Sequence, residues 1–502
     1  MIRRLLSAVS SYFDFSGKLA EQTIRGGLLS AVANVGDRIL QIIKLIVLAR
    51  LLSPEAFGLL GIALLTVGTL KRLSRLGIDK ALIQREQENV DTYLDTAWVL
   101  KIARGLILVS VVIVTAPILA RVLFRTPEAT QIIRVVSVLI VIESIQNPGL
   151  LYLQKDLDFD KHFVYTYSKS TVNLVVAIAA ALILGNVWAL VIGNFAGATV
   201  GLIGSYLLHG YRPSVSFDFN DAREMIGYGK WLTGAGIAGF LVRKLDDFAV
   251  ANILGSASLG YYQMAYRFSN APATELTQVL NLVLFPSYAK MQDDSDRLRN
   301  AVINSLRFTT LLSFPVALGI LVVTPAFVRA FLGTQWLPMI PAMQILAIWG
   351  LFRSIRSLFG PLFQAIGRPD YNFKINFVEV VLMAIAIVPA TLTLGLSGAA
   401  TVVLGIGLVS VVMYIFGGAW LLKMSYRSLV VELVYPAVGS VIMTFGLVVF
   451  NRTFIINSPL LRFGLLVILG IIFYSTCILM FERWLTYDIR TIFDTIKQNL
   501  VK

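Results

Sequence analysis

From residue 27 to residue 482 the sequence is a succession of apolar runs, separated by breaks as short as "GNV", "GSAS" and "GLSG". A run of about 20 mostly apolar residues is the length of helix that crosses the hydrocarbon core of a bilayer. Lipid offers no hydrogen-bond partner to a free backbone group, so a chain of such runs folds as membrane-spanning helices. Composition agrees: 57% of residues are hydrophobic and 14% are charged, against about 45–50% and about 25% in ordinary globular domains. The expected class is an all-α polytopic membrane protein. Dividing the runs at turn-like stretches gives fourteen transmembrane helices, at roughly 27–52, 57–79, 92–123, 130–151, 163–185, 187–209, 228–254, 258–287, 301–331, 339–364, 373–395, 397–422, 430–450 and 462–482. The short links force antiparallel helical hairpins and leave no room for a large extramembrane domain.

The net charge of +14 resides in short loops and inside spans rather than in a basic domain, which excludes nucleic acid as a partner. Arg3, Arg4, Lys18 and Arg25 precede the first span, and Lys80, Arg85, Lys155, Lys161, Arg212, Arg223, Lys290, Arg297 and Arg299 fall on the same side by span parity. Opposite loops carry mainly Arg121, Arg125, Arg452 and Arg462. The positive-inside rule therefore puts both termini in the cytoplasm. Cys477 is the only cysteine, so no internal disulfide forms, and His162 and His209 stand far apart, so no transition-metal site is expected. Residues 1–26 read as a cytoplasmic lead-in with a partly amphipathic character, and the first span as retained.

An internal repeat organises the spans. "ARLLSPEAFGLLGIA" from Ala49 and "ANILGSASLGYYQMA" from Ala251 are offset by 202 residues, pairing Ala49 with Ala251, Leu52 with Leu254, Gly58 with Gly260 and Ala63 with Ala265. "SIQNPGLLYLQKDLDFDKHF" from Ser144 pairs with "SIRSLFGPLFQAIGRPDYNF" from Ser354 at an offset of 210. An offset of six spans keeps orientation, so the halves are parallel repeats about an axis along the membrane normal. The expected organisation is an N-terminal six-helix bundle over 27–210, a cytoplasmic linker at 211–227, a C-terminal six-helix bundle over 228–423, two further helices within 424–482 and a cytoplasmic tail at 483–502. The linker's "DFNDAREMI" has the pattern of a short helix lying on the membrane.

"LIVLARLLSPEAFGLLGIALLTVG", following a polar first span, together with the later "LQKDLDFD", resembles bacterial polysaccharide-export flippases of the Wzx type. Within that group it is most similar to the branch serving exopolysaccharides such as colanic acid. The group belongs to the multidrug/oligosaccharidyl-lipid/polysaccharide superfamily, with the lipid II flippases and the MATE exporters. The resemblance implies two six-helix bundles around a central cavity plus two helices, in the bacterial inner membrane. It implies transport of undecaprenyl-diphosphate-linked oligosaccharide from the cytoplasmic to the periplasmic leaflet, with no cofactor. Membrane lipids and other polysaccharide-assembly membrane proteins, a polymerase and a chain-length regulator, are the further partners it brings into view. By helix position alone, headgroup-contacting arginines of the lipid II flippases would fall at Arg38, Arg72 and Arg267, and their lipid-tail groove at spans 13 and 14.

Ionisable residues inside spans cost about 2.5–3.5 kcal/mol on insertion scales and mark function by default. In "NVGDRILQIIK", Asn34, Asp37, Arg38, Gln41 and Lys44 recur every three to four residues and share one helix face. That face is expected to line a cavity, with Ile39, Leu40, Ile43 and Ile46 turned to lipid or protein. Lys71, Arg72 and Arg75 lie in span 2, Lys101 and Arg104 in span 3, Arg243 and Lys244 in span 7, Arg267 in span 8, Arg307 in span 9, and Arg353 and Arg356 in span 10. Excess guanidinium suits a diphosphate, which it binds in bidentate fashion. The candidate substrate-binding cations are Arg38, Lys44, Arg72, Lys101, Arg104, Arg243, Arg267, Arg353 and Arg356. Asp37, Glu143, Asp246, Asp247 and Glu379 are candidates for a gate or for coupling to a proton or sodium gradient. The repeat places Lys44 opposite Asp246 and Glu143 opposite Arg353, so pseudo-equivalent positions carry opposite charge and form a candidate gate. Permanent local pairing of each is the alternative.

Other motifs carry less. "GAGIAG" at 234–239 lies within span 7 and reads as helix packing, as do Gly193, Gly197 and Gly201 in span 6. "DLDFD" at 156–160 matches a metal-binding pattern without a nucleotide-binding domain around it. Trp98, Trp188, Trp336 and Trp484 fall near helix ends, as interface anchors do. No catalytic residue is expected. The competing readings are a MATE-like exporter of drugs or other lipids and a membrane-embedded polysaccharide polymerase or ligase. The short outer loops disfavour the enzyme.

Overall fold

The computed structural model describes residues 36–74, 90–155, 159–219, 221–223 and 243–485. Every regular element among them is helical. Helix α1 occupies 36–51 and is followed within three residues by α2, Pro54–Leu73. Ser53 makes that corner: its extended backbone (φ −72°, ψ 155°) lets its hydroxyl accept from the Ala56 amide, while Pro54 opens the helix and Glu55 sits in its first turn. Helix α3, Val90–Ile118, ends in a π turn at Leu119–Leu123. Helices α4 (Ala129–Ser137), α5 (Leu139–Ser144), α6 (Leu150–Lys155), α7 (Phe159–Leu184) and α8 (Val187–Leu208) follow. Between α7 and α8, Gly185 adopts φ 62° and Asn186 caps α8 by accepting from the Trp188 amide at 3.0 Å.

The expected fourth span, 130–151, is not one helix. It breaks at Val138, and the chain leaves helical geometry again after Ser144. The second break is made by "NPG": the Asn147 side chain accepts from the Gly149 amide at 2.8 Å, and Pro148 disfavours helix at the residue before it.

Helix α9, Leu245–Lys290, reverses direction at Gly255, whose φ is 83°. The Tyr262 hydroxyl donates to the Asp246 carboxylate at 2.9 Å across a separation of 16 residues, which an unbroken helix would hold about 24 Å apart. Helix α10, Ser295–Phe327, ends in a π turn at Val328–Leu332, and a 3-10 segment at Thr334–Met339 leads into α11, Ile340–Ala365. Helix α12, Pro369–Leu421, reverses at Gly395 (φ 60°), where a Cβ on Gly398 would stand 2.0 Å from the Ala390 carbonyl oxygen. Helices α13 (Tyr426–Thr453) and α14 (Pro459–Leu485) complete the described chain. The two short links "GSAS" and "GLSG" thus each turn on one left-handed glycine.

Nine helices among the described residues are long and apolar enough to cross a membrane, and α12, with 53 residues and a reversal at Gly395, is long enough for two passes. The protein is an all-helical, multi-pass membrane protein. The start of the first span, most of the seventh and the motif at 234–239 lie outside the described residues. Trp336 does not present its ring to lipid as an anchor would. It is fully buried in the 3-10 segment, edge-on to Tyr261, whose hydroxyl donates to the Gln335 carbonyl.

The described chain forms two compact units, one comprising the residues up to 223 with Gly255–Gly260, the other 243–254 and everything from Tyr261. In the first, the glycines spaced by four on α8 bring it against α7: a Cβ on Gly193 would lie 2.5 Å from Ala177 Cβ, and one on Gly197 3.0 Å from Asn173 Cβ. Also within this unit, 54–58 meets 256–260 backbone to backbone. A Cβ on Gly58 would stand 1.7 Å from the Ser256 carbonyl oxygen, and one on Gly260 2.0 Å from that of Pro54. The second unit is centred on Leu298, Leu306, Leu358, Phe359, Leu362 and Phe363, with Phe363 stacked on Tyr414 at 5.6 Å. Helices α13 and α14 dock on α10 within it. Arg307 Nε and Nη2 donate to the two Glu432 carboxylate oxygens at 2.7 and 2.6 Å, Thr310 donates to the Glu432 carbonyl, and Tyr474 to the Leu311 carbonyl.

Candidate functional site

A cavity of about 480 Å³ lies inside the first unit among α2, α3, α4 and α5. Its walls are Leu64, Val67, Gly68, Val136, Leu139 and Ile140, and its charged lining is Lys71, Arg72, Arg104 and Glu143. Three cations face one carboxylate. Lys71 and Arg72 occupy the last turn of α2, where cations oppose the partial negative charge of the carbonyls. Arg104 is held in place by that same helix end: Nη2 donates to the Lys71 carbonyl at 2.8 Å, and Nε and Nη2 to Ser74 Oγ at 3.2 and 3.1 Å. Lys71 Nζ donates to the Glu143 carboxylate. Lys101, one turn before Arg104 on α3, is half-buried. The result is an amphipathic chamber, apolar along its walls and cationic around one end.

The polar face of the first span is present and bonds to polar groups of its own unit. Asp37 accepts from Ser170 of α7 and from Gln41 Nε2 at 2.6 Å, Arg38 donates to Gln41 at 3.2 Å, and Lys44 donates to Asn173 Oδ1 at 3.2 Å. Asn173 in turn donates to Asn194 of α8 at 3.1 Å. The face is therefore a half-buried seam against α7, while Ile39, Ile42 and Ile43 are exposed on the other side of α1. Low dielectric strengthens such bonds and makes an unpaired group costly, so a polar stripe in an apolar helix finds polar neighbours.

In the second unit Arg356 donates to Glu379 and, at 2.8 Å, to Asn376, with its guanidinium 5.3 Å from the Tyr414 ring centre. Glu379 is 3% exposed; its second carboxylate oxygen has no hydrogen-bond partner. Arg353 donates to Thr274 at 3.1 Å and lies 5.6 Å from the Trp349 ring centre. Buried Asp246 accepts from Tyr262, and buried Asp247 pairs with Lys244 at 2.7 Å. Arg243 and Arg267 are exposed.

The structure thus brings Arg72 and Arg104 together with Glu143 in one cavity, sets Lys44 against α7 with Arg38 bonded to Gln41 on the same helix, and joins Arg356 to Glu379. Lys44 and Asp246 each have a hydrogen-bond partner within their own unit, as do Glu143 and Arg353. Arg307, noted in the sequence as a cation within span 9, is engaged by Glu432. Glu432, Ser170, Asn173 and Asn194 escaped the sequence reading, which followed charge in the first twelve spans. The signal was available in α7, where Ser170 and Asn173 stand three apart within the expected fifth span.

Residues 47–341 match the family described as polysaccharide biosynthesis protein. The lipopolysaccharide biosynthesis protein WzxC of Escherichia coli (strain K12) is 30% identical over 429 residues, covering 83% of this chain and 85% of WzxC. The succinoglycan biosynthesis transport protein ExoT of Rhizobium meliloti (strain 1021) is 27% identical over 68% of each chain. Among solved structures, the lipid II flippase MurJ in its inward closed conformation matches with a TM-score of 0.73 at 17% identity, over 91% of this chain and 99% of that one. An inward-facing MATE multidrug transporter of the MOP superfamily matches with a TM-score of 0.59 at 16% identity, over 78% and 98%. At these identities the two structures speak to the fold alone.

Proposed function

The chain belongs to the polysaccharide biosynthesis protein family, and from that premise we propose that it is a flippase carrying undecaprenyl-diphosphate-linked oligosaccharide from the cytoplasmic to the periplasmic leaflet of the inner membrane. The observation that carries the reading is the chamber of the first unit, with Lys71, Arg72 and Arg104 at one end of apolar walls. A diphosphate joined to a polyprenyl chain has the complementary form, anionic at one point and apolar beyond it. An exporter of organic cations would want the opposite charge.

The finer reading is an alternating-access transporter with fourteen spans, both termini cytoplasmic, and two parallel six-helix repeats. The reciprocal contact of Pro54–Gly58 with Ser256–Gly260 supports the repeat, because each pair of contacting positions is the 202-residue equivalent of the other. Glu379, buried with one oxygen unpartnered, is the better placed coupling candidate for a proton or sodium gradient. Polysaccharide-assembly membrane proteins are its proposed partners.

Deleting the gene from its host and locating the lipid-linked sugar tests the function. Accumulation in the cytoplasmic leaflet, relieved by the wild-type chain and less by Arg72→Ala, is expected. Normal delivery to the periplasmic leaflet in the deletion strain overturns it.

A further inference from the structure

Lys71 and Glu143 stand out among the chamber's charges. Their side chains are 37% and 41% exposed, so their pairing is open to solvent and weak. Arg104 differs: its three bonds to the end of α2 fix it in place. The chamber therefore has one cation locked to the scaffold and one held by a carboxylate that can be displaced. Among the described residues Glu143 is also the only anion in the charged lining.

We propose that Glu143 is a built-in competitor for the phosphate subsite of the chamber: it occupies Lys71 in the unloaded protein and is exchanged for a phosphate of the diphosphate headgroup on loading. This rests on the flippase reading and adds to it a basis for selectivity and release. A carboxylate tethered to the cavity wall competes at a high effective concentration. A phosphomonoester or a phosphodiester lipid has one phosphate where the diphosphate has two, and contacts fewer of the cations at once. It displaces Glu143 poorly, whereas the diphosphate takes Lys71 while also engaging Arg72 and Arg104. When the headgroup leaves, Glu143 recaptures Lys71, so a released substrate does not leave a bare ammonium to hold the next passing anion. The exchange involves no covalent step. One ion pair opens and another forms.

Binding to the purified full-length chain, measured by native mass spectrometry with undecaprenyl diphosphate, undecaprenyl phosphate, phosphatidylglycerol and inorganic diphosphate, tests this. Glu143→Gln keeps the side chain's shape and removes its charge. It is expected to tighten undecaprenyl phosphate by about fivefold, the scale set by a weak exposed pair, and undecaprenyl diphosphate by less, narrowing the preference between them. Glu143→Asp should keep the wild-type preference, and Lys71→Ala should abolish the response to Glu143→Gln. Unchanged or weakened binding in a Glu143→Gln protein that melts like wild type overturns the exchange. Wild-type protein that is folded and binds none of the undecaprenyl lipids overturns the flippase reading itself. If inorganic diphosphate alone responds to Glu143→Gln, the exchange stands but its ligand is a free anion, and the lipid assignment falls.

Discussion

Gly58→Ala is expected to abolish transport and lower the melting temperature sharply, although it adds a single carbon to an apolar helix. That carbon would stand 1.7 Å from the Ser256 carbonyl oxygen and 2.4 Å from its carbonyl carbon. Both obstacles are backbone, so no rotamer change relieves the clash and a helix must move. Ordinary overpacking costs about 1–3 kcal/mol when side chains can yield; here they cannot, and the cost should lie at or above that range. Gly260→Ala meets the Pro54 carbonyl at 2.0 Å and should behave alike. Gly405→Ala is the control: a Cβ there meets nothing within 4 Å, and within a helix alanine gains about 0.5–1 kcal/mol over glycine. Thermal unfolding of the purified variants reads the difference. Equal melting of Gly58→Ala and Gly405→Ala would remove the close approach from the account.

Truncating either partner of the Arg307–Glu432 pair is expected to have the next largest effect. The side chains are 17% and 5% exposed and share two parallel hydrogen bonds. Removing one leaves the other charge buried without its bidentate guanidinium–carboxylate contact, and losing one partner of a buried pair costs about 3–5 kcal/mol. Arg307→Met or Glu432→Leu alone should therefore reduce folded yield and melting temperature. The double substitution should recover most of both, because an apolar pair of similar volume needs no charge compensation. Transport by the double variant separates structure from ligand binding. Activity near wild type fits a pair that docks α13 and α14 on α10; a well-folded but inactive double variant would mean that Arg307 acts on the substrate.

Much of this was legible along the chain. Runs of apolar residues fixed the class, because lipid tolerates no unpaired backbone. The breaks "SPEAF" and "GNV" gave the helix corners, since Ser53 and Asn186 are the residue types that cap helices. The four-residue glycine spacing of α8 foretold its packing on α7. Other features were misjudged for a common reason. The span at 130–151 looked continuous because hydropathy does not register the turn made by Asn147–Gly149. Trp336 looked like an anchor because position near a helix end is not burial.

The charges show the division most clearly. Their residue types and depths were set by the sequence alone, and so was the excess of cation over anion within the spans. Which charge meets which was not. Arg38, Arg307 and Arg356 read alike as arginines in apolar helices, yet one bonds Gln41 on its own helix face, one docks α13, and one holds Glu379. Lys71, Arg72 and Arg104 became one site only because α2 ends beside α3 and α5. Hydrophobicity along the chain determines where a helix crosses lipid, since that is a local transfer energy. The partner of a buried charge depends on which helices come side by side, and only the packed tertiary structure decides that.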